Sequence, residues 1–142
     1  MRLWHKDLIH VLPRKQLLEQ WRECCLIAKN IKEKGTPNHI LVNRIMDYSL
    51  DDFYTYCYLI KDECIKRGYK CSSKAFEYLF NIRKENYFEL KIIDMNIFKD
   101  WHNDRYYLQC YYNLQEKYDC GGITEDEWRI IESTFSTVIE DL

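Results

Sequence analysis

The sequence predicts an all-α fold: a compact helical bundle with an N-terminal arm threading against its central helix. Three observations carry this reading. Apolar residues recur at helical spacing along most of the chain, and Ser, Thr, Asn or Asp stand where helices would start, with Gly where they would stop. Pro and Gly are scarce, 2 and 4 in 142 residues, so the breaks they mark fall between helices. A chain of this length supports a single packed core, and residues 1–142 are expected to form one domain.

Residues up to Leu12 read as an irregular arm. Pro13 then opens a helix to about Lys34, stopped by Gly35, with Leu17, Leu18, Trp21, Cys24, Cys25, Ala28 and Ile31 on one face. Glu23 falls outside that face, flanked by Leu26 and Ile27, so the helix is apolar nearly all round and is expected at the centre. The arm is expected to fold back over Leu26 and Ile27. Thr36-Pro37 predicts a short helix through about Met46. Ser49 with Asp52 has the form of a capping box, opening a helix that ends at Lys66-Arg67-Gly68. Ser72 or Ser73 is placed to cap a helix to about Arg83, while residues 86–100 have no clear period. Asn103 or Asp104 begins an aromatic-rich helix to about Tyr118, broken by Gly121-Gly122. Thr124-Glu125-Asp126-Glu127 is a capping box for a last helix bearing Trp128, Ile131, Phe135 and Val138. Its Trp128 stripe suits either a partner or the core.

The composition narrows the function classes. The 22 aromatic residues, twelve of them Tyr, exceed what a core of this size needs, so some are expected at a contact surface. No stretch has the apolar length of a membrane span and no secretory h-region is present, which predicts a cytoplasmic protein without membrane association. The seven cysteines make no CxxC pair and no zinc spacing, and their odd number argues against a closed disulfide framework; they read as thiols. Cys57, Cys64 and Cys71 recur every seven residues, a spacing that buried helix positions explain better than an iron–sulfur cradle. Residues 1–84 carry 16 Lys/Arg against 10 Asp/Glu, and residues 85–142 carry 5 against 13, so halves of +6 and −8 hide within a net charge of −2. The basic half suits a polyanion. No P-loop, Gly-rich phosphate cradle or Ser/His/Asp pattern appears, and no metal or other cofactor is implied. The pattern specifies no oligomeric state.

Several segments point to one chemistry together. Trp21-Arg22-Glu23 lies on the first helix, behind an arm opening Met1-Arg2-Leu3-Trp4; Asn38-His39-Ile40-Leu41, Cys64-Ile65-Lys66-Arg67-Gly68-Tyr69 and Leu114-Gln115-Glu116-Lys117 follow in order. In order and spacing they resemble the pyrimidine-dimer DNA glycosylases of the phage endonuclease V type. The likeness is good to about residue 70, thin from there to 118, and absent beyond.

The resemblance implies a DNA glycosylase with associated β-lyase activity acting on double-stranded DNA. The chain's own α-amine attacks the sugar C1′, the base leaves and an imine forms, while the Glu of the triplet stabilises the cationic intermediate and assists loss of the 2′ proton. These roles fall to the Met1 amine and Glu23. An α-amine suits nucleophilic attack because it titrates near 7.7 to 8.0 against about 10.4 for a lysine, so an appreciable fraction is neutral at cellular pH. By the same resemblance, Arg2, Arg22, Asn38, His39 and Lys117 are expected to contact DNA; His10, with His5, lies in the arm where it suits phosphate. The substrate is a UV dimer or another modified base, flipped from the duplex so that C1′ is reached.

Three departures stand out. Arg2 is large for methionine removal, so Met1 itself would carry the nucleophile; a basic position three residues after the Glu is Leu26 here; and the aromatic tail of phage members is replaced by an acidic last helix. A binding module of the same fold without catalysis is the rival reading.

Overall fold

The computed structural model describes residues 1–71, 74–77 and 96–140, with side chains to 135. The fold is all-α, and no strand occurs among the described residues. Four α-helices are described: α1 (Arg14–Lys34), α2 (Leu50–Lys66), α3 (Asp104–Asp119) and α4 (Glu125–Glu140). Two 3-10 segments accompany them, Lys6–Val11 and Asn43–Asp47. The helix expected from Ser72 or Ser73 is described only over residues 74–77, and most of the 86–100 stretch lies outside the described residues.

Helix ends follow their local chemistry. The Pro13 carbonyl accepts the Leu17 N–H at 3.0 Å to start α1, and Gly35, at φ 74°, ends it in the left-handed conformation that glycine adopts without a Cβ penalty. At the end of α2 the Tyr69 N–H reaches the Cys64 carbonyl and the Gly68 N–H reaches that of Ile65, with Gly68 at φ 81°: a Schellman motif at the Lys-Arg-Gly stop. The box at α4 is complete, since Thr124 Oγ1 accepts the Glu127 N–H and Glu127 Oε1 accepts the Thr124 N–H, each at 3.2 Å. Asn103 Oδ1 caps α3 by accepting the Tyr106 N–H.

Three expectations need correction, and the open reading of Trp128 is decided. The arm is not irregular throughout: Lys6–Val11 winds into a 3-10 turn whose start is capped by His5 Nδ1, which accepts the Asp7 N–H. No α-helix runs from Pro37 to Met46. Thr36 Oγ1 accepts the Asn38 N–H and Asn38 takes φ 63°, which turns the chain before a helix can begin, and only the 3-10 turn Asn43–Asp47 follows. Ser49 caps α2 through the Asp51 N–H, but Asp52 does not close a box; its carboxylate accepts the Phe98 N–H at 3.0 Å. Trp128 is buried, stacked on Tyr118 at 5.3 Å and packed against Tyr111 at 5.2 Å between α3 and α4, so its stripe belongs to the core.

Helix α1 packs on α2, and the 3-10 turn Lys6–Val11 wedges between α2 and α4. Leu3, Leu8, Leu12, Leu17, Ile27, Phe53, Tyr56, Ile60, Phe98 and Tyr107 are fully or almost fully enclosed. His5 belongs to this core as well: it stacks on His102 at 5.1 Å, and burial lowers the pKa of both rings, that of His102 to about 2. A neutral, enclosed His5 whose Nδ1 caps a turn does not offer a phosphate contact.

Candidate active site at the arm and first helix

The arm Met1–His5 forms no helix, and no strand lies beside it among the described residues, so its backbone groups must find other partners. Side chains of three helices supply them. Gln20 of α1 is fully buried: its Nε2 donates to the Arg2 carbonyl at 2.8 Å and its Oε1 accepts the Trp4 N–H at 2.7 Å. The Tyr56 hydroxyl of α2 lies 2.6 Å from the Trp4 carbonyl and 2.8 Å from Gln20 Oε1, its one hydrogen shared between two acceptors. The Tyr106 hydroxyl of α3 donates to the Leu3 carbonyl. Leu3 and Trp4 are buried beneath this lattice.

Successive helix residues stand about 100° apart, which puts Gln16, Gln20, Glu23 and Ile27 on one stripe along α1. The arm lies along the Gln16, Gln20 and Glu23 part of this stripe and does not cover Leu26 as expected: Ile27 is fully buried, but Leu26, a further 100° round, is 47% exposed. Glu23 is half-buried at the stripe's edge. Its Oε2 accepts from Gln20 Nε2 at 3.1 Å, and the backbone N–H of Arg2 also hydrogen-bonds the carboxylate. Burial raises the Glu23 pKa, and this outweighs the N-terminal amine, the Arg2 N–H and His39, each of which favours the ionised form; Glu19 adds to the rise.

The amine and this carboxylate line one cleft of about 250 Å³, together with Arg2, Trp4, Gln16, Glu19, Gln20, Leu41, Asn113 and Lys117. Gln16 is buried with its Oε1 unpaired among the described residues. Lys117 comes from the last turn of α3, where its own carbonyl accepts the Gly122 N–H. A second cleft of about 400 Å³ adjoins the first through Arg2 and Leu41, and is lined also by Ile40, Arg44, Trp101, Tyr106 and Gln109. Arg2 spans both, its guanidinium 5.1 Å from the Trp4 ring centre, and Arg44 sits likewise over Trp101 at 5.3 Å. Ile40, 82% exposed, stands at the rim.

Thus the fold brings Met1, Arg2, Glu23 and Lys117 to one cleft, with His39 close enough to act on Glu23. His39 Nδ1 accepts the Leu41 N–H at 3.2 Å. Arg22 and Asn38 are exposed beside it in sequence but do not line the cleft. His10 is exposed in a different groove, with Arg67, Glu127 and Ile130. Gln20, Tyr56 and Tyr106 were missed by sequence reasoning. For Gln20 a signal existed: Gln16, Gln20 and Glu23 recur at i, i+4 and i+7, a polar stripe beside the apolar face of the helix.

Among the described residues no group of three or more His, Cys, Asp or Glu side chains is placed to hold a metal ion, and no helix is long and apolar enough to cross a membrane. The family described as pyrimidine dimer DNA glycosylase matches residues 1–77, more than half of the 142. No curated protein and no solved structure matches the chain. The matched span contains the arm, all of α1 and the Gln20–Glu23 pair, and the chain belongs to the pyrimidine dimer DNA glycosylase family.

Proposed function

We propose that the protein is a DNA glycosylase with associated AP-lyase activity, in which the Met1 α-amine is the nucleophile and Glu23 its partner. One observation carries the reading: the amine and the Glu23 carboxylate share a cleft to which the arm is fastened by hydrogen bonds from three helices. The neutral amine attacks C1′ of the target nucleotide and the C1′–N bond to the base breaks with its electron pair leaving on the base; the nitrogen then loses its protons as the C1′–O4′ bond breaks, O4′ takes that electron pair and a proton, and the opened sugar is held as an imine. Glu23, whose proton affinity burial raises, stabilises the cationic intermediate and takes the 2′ proton as the 3′ C–O bond breaks. Double-stranded DNA is the substrate. Arg2 and Lys117 at the cleft, with Arg22, Asn38 and His39 beside it, contact the DNA backbone; His10, in its separate groove, would touch only DNA that continues past the arm.

Borohydride trapping tests the reading on duplexes with a pyrimidine dimer, an abasic site or no lesion. A covalent adduct on the first two but not the third is expected. Duplex affinity with no adduct on any of them would favour a binding module that has lost catalysis.

A further inference from the structure

Gln20 hydrogen-bonds both the nucleophile's arm and the carboxylate that serves it. Its amide orientation is fixed by its partners: the Arg2 carbonyl only accepts and the Trp4 N–H only donates, so Nε2 must face Arg2 and Glu23, and Oε1 must face Trp4 and Tyr56. The two halves of the amide therefore do different things. Oε1 anchors the arm to the core at Trp4, while Nε2 ties the Arg2 carbonyl, one residue from the amine, to the Glu23 carboxylate, 2.8 and 3.1 Å away.

We propose that Gln20 is a positioning residue for the reaction: its Nε2 fixes the spacing between the Met1 amine and the Glu23 carboxylate by bridging Arg2 and Glu23. This rests on the amine-and-Glu23 chemistry proposed above. A side chain that keeps the Oε1 contacts but lacks the Nε2 donors leaves the arm docked while releasing the bridge, and the added misplacement slows chemistry without weakening the grip on DNA.

Two variants separate this from a purely structural role. Gln20→Glu retains an acceptor for Trp4 and Tyr56, but a carboxyl has at most one proton to offer where Nε2 offers two, so it cannot donate to the Arg2 carbonyl and to Glu23 at once and the bridge is broken whether it is ionised or not. Gln20→Met loses donors and acceptor alike. Melting temperature, duplex Kd, and the single-turnover rate of borohydride-trapped adduct on an abasic-site duplex at saturating protein are measured for both and for the wild type. Both variants are expected to lower the saturating rate by on the order of 10- to 100-fold with Kd changed less than about threefold, while Gln20→Met alone loses much of its thermal stability. Should Gln20→Met fail to fold, Gln20→Glu decides the matter. A Gln20→Glu protein that traps at the wild-type rate overturns the positioning role and leaves the parent chemistry standing. A wild-type protein that traps nothing removes both.

Discussion

Glu23 is pulled in two directions, since burial favours its neutral form while the amine, the Arg2 N–H and His39 favour the charged one, and burial prevails. A carboxyl whose pKa is higher folded than unfolded weakens the fold when ionised, an effect fully present above the folded value and absent below the unfolded one. Glu23→Gln is therefore expected to raise the melting temperature near pH 7, with the gain shrinking as the pH falls through the carboxyl range; scans at several pH values check it. The same variant should keep duplex affinity and lose most strand cleavage, because it keeps the size and hydrogen bonds of the side chain but not its charge or basicity. Equal loss of binding and cleavage would make Glu23 structural. Arg22 is exposed beside Glu23, and Arg2 spans two clefts. Replacing either with Gln should weaken binding to every duplex and reduce the slope of log K against log salt by roughly one, measured by titration at several salt concentrations; an unchanged slope would place that arginine off the DNA.

The helices were legible wherever a local bond terminates them. Gly35, Gly68, Asn103 and the Thr124–Glu127 box each do in the fold what their residue types allow, because caps depend on groups within five residues of one another. Thr124→Ala is expected to lower stability by about 1 kcal/mol, readable by denaturant titration, since it removes one of the two reciprocal bonds of the box. Legibility failed where a local side-chain bond competes with the helix, or where partners come from far along the chain. Thr36-Pro37 reads as a helix start, yet the Thr36 hydroxyl serves the Asn38 N–H and turns the chain. Asp52 is placed for a cap but is claimed by Phe98, 46 residues away. His5 reads as an exposed arm residue, and only the packing of His102 against it reveals a core position. Within the site, Glu23 and the arm were identified by their type and order, whereas Tyr56 and Tyr106 had no local signature: each acts 52 or more residues from the backbone carbonyl it meets.

At the scale of the molecule, one buried pair links the arm to the rest of the fold. His102 Nδ1 accepts the Lys6 N–H at 3.0 Å, and its pKa of about 2 keeps the ring neutral where the unfolded chain would take up a proton. Because the folded value lies below the unfolded one, stability falls as the pH drops below about 6.5, at about 1.4 kcal/mol per pH unit for one such histidine. His102→Gln keeps an acceptor for Lys6 and should flatten that slope between about pH 6 and 4 in denaturant titrations, while an unchanged slope would assign acid sensitivity to other groups. Arm, core and cleft are thus one structure, and the amine stands where it does because the whole bundle holds the arm. The cleft contains a second amine, that of Lys117, so the identity of the nucleophile can be read directly. Mass spectrometry of the borohydride-trapped adduct on an abasic-site duplex should place the DNA remnant on the N-terminal peptide at the Met1 α-nitrogen, and prior acetylation of that amine should abolish the adduct. A remnant on Lys117, or an undiminished adduct after the amine is blocked, would contradict the account.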